Sequence, residues 1–153
     1  IGDFLLCYAT NLGGITIPKK VHTIGSGAFL YCSSLDSLVF DGDGVQTIGD
    51  SAFSHCTQLS KILLQDTLPP IIEAHTFEGV DRSIPIHVPL GSSQRYKEAP
   101  YWREFQNFIE PSPATYVDEV HVQHNATQKV FLNGQLLLVN DDILYNIMGQ
   151  KLP

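Results

Sequence analysis

The chain carries displaced copies of itself. Val21-His22-Thr23-Ile24-Gly25-Ser26-Gly27-Ala28-Phe29 matches Val45-Gln46-Thr47-Ile48-Gly49-Asp50-Ser51-Ala52-Phe53 with every position moved by 24, and Cys32, Leu35 and Leu38 map in the same way onto Cys56, Leu59 and Ile62. A third copy keeps the register, from Ile48 to Ile72, Phe53 to Phe77, Cys56 to Val80, Ile62 to Ile86 and Leu64 to Val88. Backwards the displacement is 23, from Ile24 to Ile1, Leu35 to Leu12, Leu38 to Ile15 and Phe40 to Ile17, because Pro18-Lys19-Lys20 stands where the next unit has Asp41-Gly42-Asp43-Gly44. A fixed period of roughly 20–50 residues is the signature of stacked repeats, where one unit cannot bury its apolar face alone and neighbours bury it together. The pattern predicts a solenoid.

Each unit reads as one coil. Ile15-Thr16-Ile17, Leu38-Val39-Phe40, Ile62-Leu63-Leu64 and Ile86-His87-Val88 are short β-branched and apolar runs ended by turn residues. They suit strands stacked in parallel, with residues two apart pointing inward. Ile24-Gly25 and Ile48-Gly49 are expected to turn the chain at the next corner, where glycine adopts backbone angles that a side chain forbids. Phe29, Cys32 and Leu35 then recur at spacing three, which fits a tight 3₁₀-like or helical return. Ile1 reads as the interior of a coil. The chain is therefore expected to be the C-terminal portion of a longer precursor, with any signal peptide upstream.

The string I-G-x-x-A-F-x-x-C-x-x-L-x-x-[LI], at Ile24 to Leu38 and Ile48 to Ile62, together with I-x-I-P at Ile15 to Pro18, resembles the BspA-like leucine-rich repeats of bacterial surface proteins. The resemblance covers roughly residues 1–90. The first coil departs from it with Leu5-Leu6 for Ala-Phe, Ala9 for Cys and a Cys7 out of register; the last has Glu73 for Gly and Ser83 for Leu. Terminal units of repeat arrays commonly depart from their consensus. The expected fold is a mainly β repeat solenoid of leucine-rich-repeat type with short helical turns, a helical cap and a small C-terminal antiparallel β-unit. The expected division is a solenoid of about three and a half coils over 1–90, a cap over 91–110, a linker over 111–116 and the β-unit over 117–153.

Within the cap, Ser92 or Ser93 is a candidate N-cap for a short helix stopped before Pro100, and Tyr101 to Phe105 would begin a second turn. The ending V-P-x-G-S-x-x-x-Y-x-x-A-x-x-W-x-x-F resembles the closing segment of the same family. Tyr96, Trp102, Phe105 and Phe108 are expected to cover the open end of the stack, with Trp102 a lid residue rather than a ligand anchor. Pro111-Ser112-Pro113-Ala114-Thr115 has linker composition. Beyond it, Asn133-Gly134 between alternating apolar runs predicts a hairpin, with Ile143 to Lys151 adding a strand and Val117 to Val122 another. This unit is expected to pack on the cap. The tail from Leu144 to Leu152 resembles the ending of many secreted Bacteroides-type proteins and points to export.

Charge removes one class of function. Sixteen acidic residues against nine basic ones leave a net charge of -7, which is unsuited to neutralising a phosphate backbone. No apolar stretch reaches the ~20 residues of a membrane span. Nor is there a catalytic constellation. His55 beside Cys56 alternates outward and inward, Asp118-Glu119 and Asp141-Asp142 read as solvated turns, and neither a nucleophile elbow nor a phosphate loop is present. Asp41-Gly42-Asp43-Gly44 opens like a calcium loop, but Val45 and Ala52 stand where ligands should follow, so no metal or cofactor is expected. Cys32 and Cys56 are expected as stacked, buried thiols rather than a disulfide. Asn125-Ala126-Thr127 matches an N-glycosylation acceptor, and Asp36-Ser37-Leu38, Asp50-Ser51-Ala52 and Asp66-Thr67-Leu68 resemble short O-glycosylation signals.

The expected function is a non-enzymatic, secreted or cell-surface protein–protein interaction module of adhesion type. The candidate interaction face is the outward strip Thr16, Val39, Leu63 and His87. The resemblance implies a protein partner, a host extracellular matrix protein or another bacterial surface protein. The alternatives are a structural C-terminal stalk and cap with recognition carried upstream, and a glycan-binding accessory.

Overall fold

The computed structural model describes residues 1–111 in full and the backbone of 128–132, 135–140 and 143–146. The chain divides into two compact units, Ile1–Glu110 and Pro111–Pro153.

In the first unit the coils stack into two parallel sheets, one of five strands and one of three. The larger sheet has the order β1-β3-β5-β7-β8, built from β1 (Gly14–Pro18), β3 (Ser37–Asp41), β5 (Lys61–Leu63), β7 (Pro85–His87) and β8 (Asn107–Ile109). The smaller, β2-β4-β6, stacks Thr23–Ile24, Thr47–Ile48 and Ile71–Ile72. Ile15 faces Leu38, Leu38 faces Ile62 and Ile62 faces Ile86, so the strand register follows the repeat displacement. A third side, without regular strands, closes each coil. There Phe4, Leu6 and Tyr8 donate backbone N–H bonds to Ser26, Ala28 and Leu30, and Gly27, Phe29 and Tyr31 to Asp50, Ala52 and Ser54. Within each coil the same segment is folded by bonds three residues apart, such as Cys32 N–H to Phe29 and Leu35 N–H to Cys32. These are successive tight turns rather than a helix.

The core is layered by repeat position. Leu38, Ile62 and Ile86 are fully buried behind the larger sheet, and Ile24, Ile48 and Ile72 behind the smaller. Between them runs a column of phenylalanines, Phe29 on Phe53 at 5.0 Å and Phe53 on Phe77 at 5.4 Å, with their rings nearly parallel. Trp102 and Phe105 end that column, each 5.5 Å from Phe77. Trp102 lies in a 3₁₀ turn (Trp102–Glu104) and donates its indole N–H to Pro70 O at 2.8 Å. Tyr96, on α1 (Ser93–Glu98), packs edge-on against Trp102 and donates its hydroxyl to Asp66 O. Every buried polar tip here has a partner, which is what makes burying Tyr and Trp favourable.

Three local expectations are corrected. Gly25 and Gly49 do not hold positive φ angles. They are required by close approach, because a Cβ on Gly49 would lie 2.7 Å from Ser26 N and one on Gly25 would lie 2.6 Å from Asp3 N. The positive φ angles fall elsewhere, at Tyr8, Tyr31 and His55 among others. Ser92 is the N-cap residue of α1, as expected, but its side chain does not make the capping bond, because its hydroxyl turns to Pro89 O. The carboxylate of Glu110 accepts the N–H groups of Gly91 and Ser93 instead, at 2.8 and 2.7 Å. The Ser93 hydroxyl, together with those N–H bonds, holds the Glu110 carboxyl below the usual carboxylate range. Finally, residues 107–109, read only as the end of the cap, form a fifth strand of the larger sheet.

In the second unit β9 (Gln128–Leu132), β10 (Gln135–Asn140) and β11 (Ile143–Asn146) form an antiparallel sheet in the order β11-β10-β9. Leu132 faces Gln135, so only Asn133 and Gly134 separate the first two strands. The expected strand at 117–122, the acidic pairs at 118–119 and 141–142, the acceptor at 125–127 and the end of the tail lie outside the described residues.

Candidate functional site

Strand pleating puts alternate residues of the larger sheet on its outer face. Thr16 lies opposite Val39, Val39 opposite Leu63 and Leu63 opposite His87, so the structure brings all four residues of the strip into one continuous row. Thr16 and His87 are exposed, while Val39 and Leu63 are half-buried between their neighbours. The row has a fifth member that the repeat does not reveal. Ile109, 37% exposed, lies opposite His87 on β8. The signal available for it was the alternation Asn107-Phe108-Ile109, with Phe108 inward opposite Ile86. At the usual strand spacing of 4.7–4.9 Å, five strands carry the row over about 19 Å.

The flanking rows are polar and proline-rich. Ser37, Lys61, Pro85 and Asn107 run along one side, and Pro18 and Asp41 begin the other. The face is therefore an apolar spine of Val39, Leu63 and Ile109, ended by Thr16 and interrupted by His87. Such a surface provides shape and apolar area for a macromolecular partner.

The cysteines stand apart from this face. All three are free thiols. Cys32 Sγ donates to Leu6 O at 3.1 Å and Cys56 Sγ to Phe29 O at 3.3 Å, each bonding back to the preceding coil. Burial pushes the Cys56 thiol up to about 12 and raises that of Cys32 as well. The thiolate is the nucleophilic form, so these groups are structural. His55, next to Cys56 in sequence, turns outward and stacks on Tyr31 at 4.6 Å.

No group of His, Cys, Asp and Glu suited to a metal ion is found among the described residues. No helix among them is long and apolar enough to cross a membrane. Comparison with curated proteins finds no match. Residues 1–137 match the BspA type leucine rich repeat region, in six copies, a span that runs beyond the stacked coils into β10. With its parallel coils, repeat register and closing segment accounted for, the chain belongs to the BspA-type leucine-rich repeat family.

Proposed function

We propose that this chain is a non-enzymatic recognition module of a secreted or cell-surface protein, and that the row Thr16, Val39, Leu63, His87 and Ile109 is where it contacts a protein partner. The observation that carries this reading is the continuity of the row across all five strands, an apolar spine with polar margins. Leucine-rich repeats use extended side-chain arrays of this kind to hold protein partners. A host extracellular matrix protein or another bacterial surface protein is the partner class that fits an adhesive role.

The test is a binding screen of the purified chain against extracellular matrix proteins and glycans at physiological salt, with Leu63→Glu and Val39→Glu alongside. Both side chains sit on the outer face, so the variants should fold and lose a saturable protein signal. Wild-type affinity in folded variants would sink the reading. A second reading, a structural stalk and cap with recognition carried by other coils, draws on the aromatic closure at Tyr96, Trp102 and Phe105. It predicts silence across the whole panel.

A further inference from the structure

The third side of the coils, residues 2–13, 25–36, 49–60 and 73–84, plays no part in the reading above. Its outer surface bears a column of stacked rings. Tyr8 lies on Tyr31 with centroids 5.0 Å apart and planes within 7°, and Tyr31 lies on His55 at 4.6 Å and 8°. All three residues hold left-handed backbone angles, with φ of 61°, 58° and 58°. This conformation is strained for a bulky residue, and glycine adopts it freely. The fourth coil has Gly79 at the equivalent place, with φ of 75°. Glycine would therefore suit the fold at every level, yet three coils place a ring there. Tyr8 is 64% exposed and Tyr31 38%. One row away, the exposed ring of Phe4 lies against Gly27. The core gains little from rings on this side.

The same side holds the charge imbalance of the whole solenoid unit. Asp3, Asp36, Asp50, Glu73, Glu78 and Asp81 are all exposed there, against one base, Arg82. Arg82 is turned to the cap, with Nη2 3.3 Å from Glu104 and its guanidinium over the Phe105 ring. On the rest of the unit six acids balance six bases. Asp50 meets the exposed His75, whose Nδ1 lies 3.1 Å from its Oδ1, and the Glu78 carbonyl accepts the His55 backbone N–H at 2.7 Å.

We infer that the Tyr8–Tyr31–His55 column is a second docking surface, and that its occupant is a cationic, arginine-bearing protein segment. The column supplies the contact area, and the surrounding carboxylates select the occupant by charge complementarity. Guanidinium is planar and weakly hydrated, stacks on aromatic rings and forms paired hydrogen bonds with carboxylates. An ammonium answers only the charge. This surface is independent of the outer row of the larger sheet, so either can fail without the other.

The test titrates ¹⁵N-labelled chain with a twelve-residue peptide of alternating Gly and Arg, its Gly-Lys counterpart and its Gly-Glu counterpart, at 150 mM salt. The arginine peptide should move the amide signals of Tyr8, Tyr31, His55 and Glu78 and leave those of Val39 and Leu63 in place. It should bind several-fold more tightly than the lysine peptide, and the glutamate peptide should not bind. Tyr31→Asn, which tolerates the left-handed angle and leaves the charge unchanged, should weaken binding about threefold to fivefold, on the scale of an exposed cation–π contact. The pair Asp50→Asn with Glu78→Gln should weaken it further, and Leu63→Glu should keep the arginine-peptide signal at the column. Equal affinity for the two basic peptides together with an unaffected Tyr31→Asn variant would reduce the effect to general charge attraction and overturn the inference. So would shifts centred on the larger sheet, or no binding.

Discussion

Phe53→Ala tests the stacking argument at its centre. Phe53 is fully buried, with Phe29 at 5.0 Å on one side and Phe77 at 5.4 Å on the other. Truncating a core phenylalanine costs about 3–5 kcal/mol, the spread reflecting how far the site can collapse. Here collapse is restricted, because backbone bonds between coils fix the stack spacing above and below the missing ring. Phe53 N–H itself bonds to Thr76 and Phe29 N–H to Ala52. Two stacked neighbours, each worth about 0.5–1.5 kcal/mol beyond burial, are lost together. The upper end of the range, about 4–5 kcal/mol, is expected. Against a total of about 5–15 kcal/mol for an ordinary domain this is a large fraction. A solenoid transmits stability only between neighbours, so the lesion should also uncouple the first two coils from the fourth coil and its cap.

Urea unfolding followed by far-ultraviolet circular dichroism and by the fluorescence of Trp102, the single tryptophan, separates these effects. Trp102 reports the cap, and dichroism reports the whole sheet. The wild type should show coincident transitions, and Phe53→Ala a lower midpoint with the two probes apart. Phe4→Ala, at a ring 59% exposed, is the control. A loss below about 2 kcal/mol, or one no larger than that of Phe4→Ala, would refute the reading of the phenylalanine column as the spine of the core.

Three further outcomes are expected. Burial raises the thiols of Cys56 and Cys32 and the phenol of Tyr96, so these groups stay neutral in the folded chain while the unfolded chain ionises. The unfolded state then binds fewer protons, and stability should fall as pH rises above about 8.5, the ordinary thiol value; Cys56→Ala should make that fall shallower in denaturation midpoints at pH 7, 9 and 10.5, and a flat profile would contradict it. Glu110, whose carboxyl is held low by Ser93 and Gly91, stabilises the cap above its unfolded pKa and loses that effect as pH falls through its folded one. Glu110→Ala should cost about 1 kcal/mol, as losing a helix cap does, and should speed hydrogen exchange at Gly91 and Ser93; unchanged exchange at both would count against the clasp. Gly49→Ala should destabilise by about 1–3 kcal/mol through overpacking against Ser26 N, whereas Gly2→Ala, with open space around it, should be neutral in thermal melts.

The repeat made the stack legible before any coordinates. Each apolar position is repeated coil by coil, and side chains at equal positions must meet when coils stack in parallel, so the facing of Leu38 with Ile62 and Ile86 follows from displacement alone. The outward row was legible for the same reason, since pleating alternates faces and Val39 and Leu63 sit between inward neighbours. Ile109 was not, because β8 lies outside the period and only three of its residues pair.

The displaced copies in the chain were enough to specify the solenoid, its parallel register and the identity of its core, because periodic burial is a local pattern that stacking converts directly into contacts. What the tertiary structure alone decided depends on the spacing between coils and on segments distant in sequence. It placed the glycines of Ile24-Gly25 and Ile48-Gly49 under a neighbouring backbone rather than in left-handed angles, and it gave the N–H groups of Gly91 and Ser93 at the start of α1 to the Glu110 carboxylate rather than to the Ser92 hydroxyl. Each of these is a contact between atoms brought together by the stack, and no local propensity encodes such a distance.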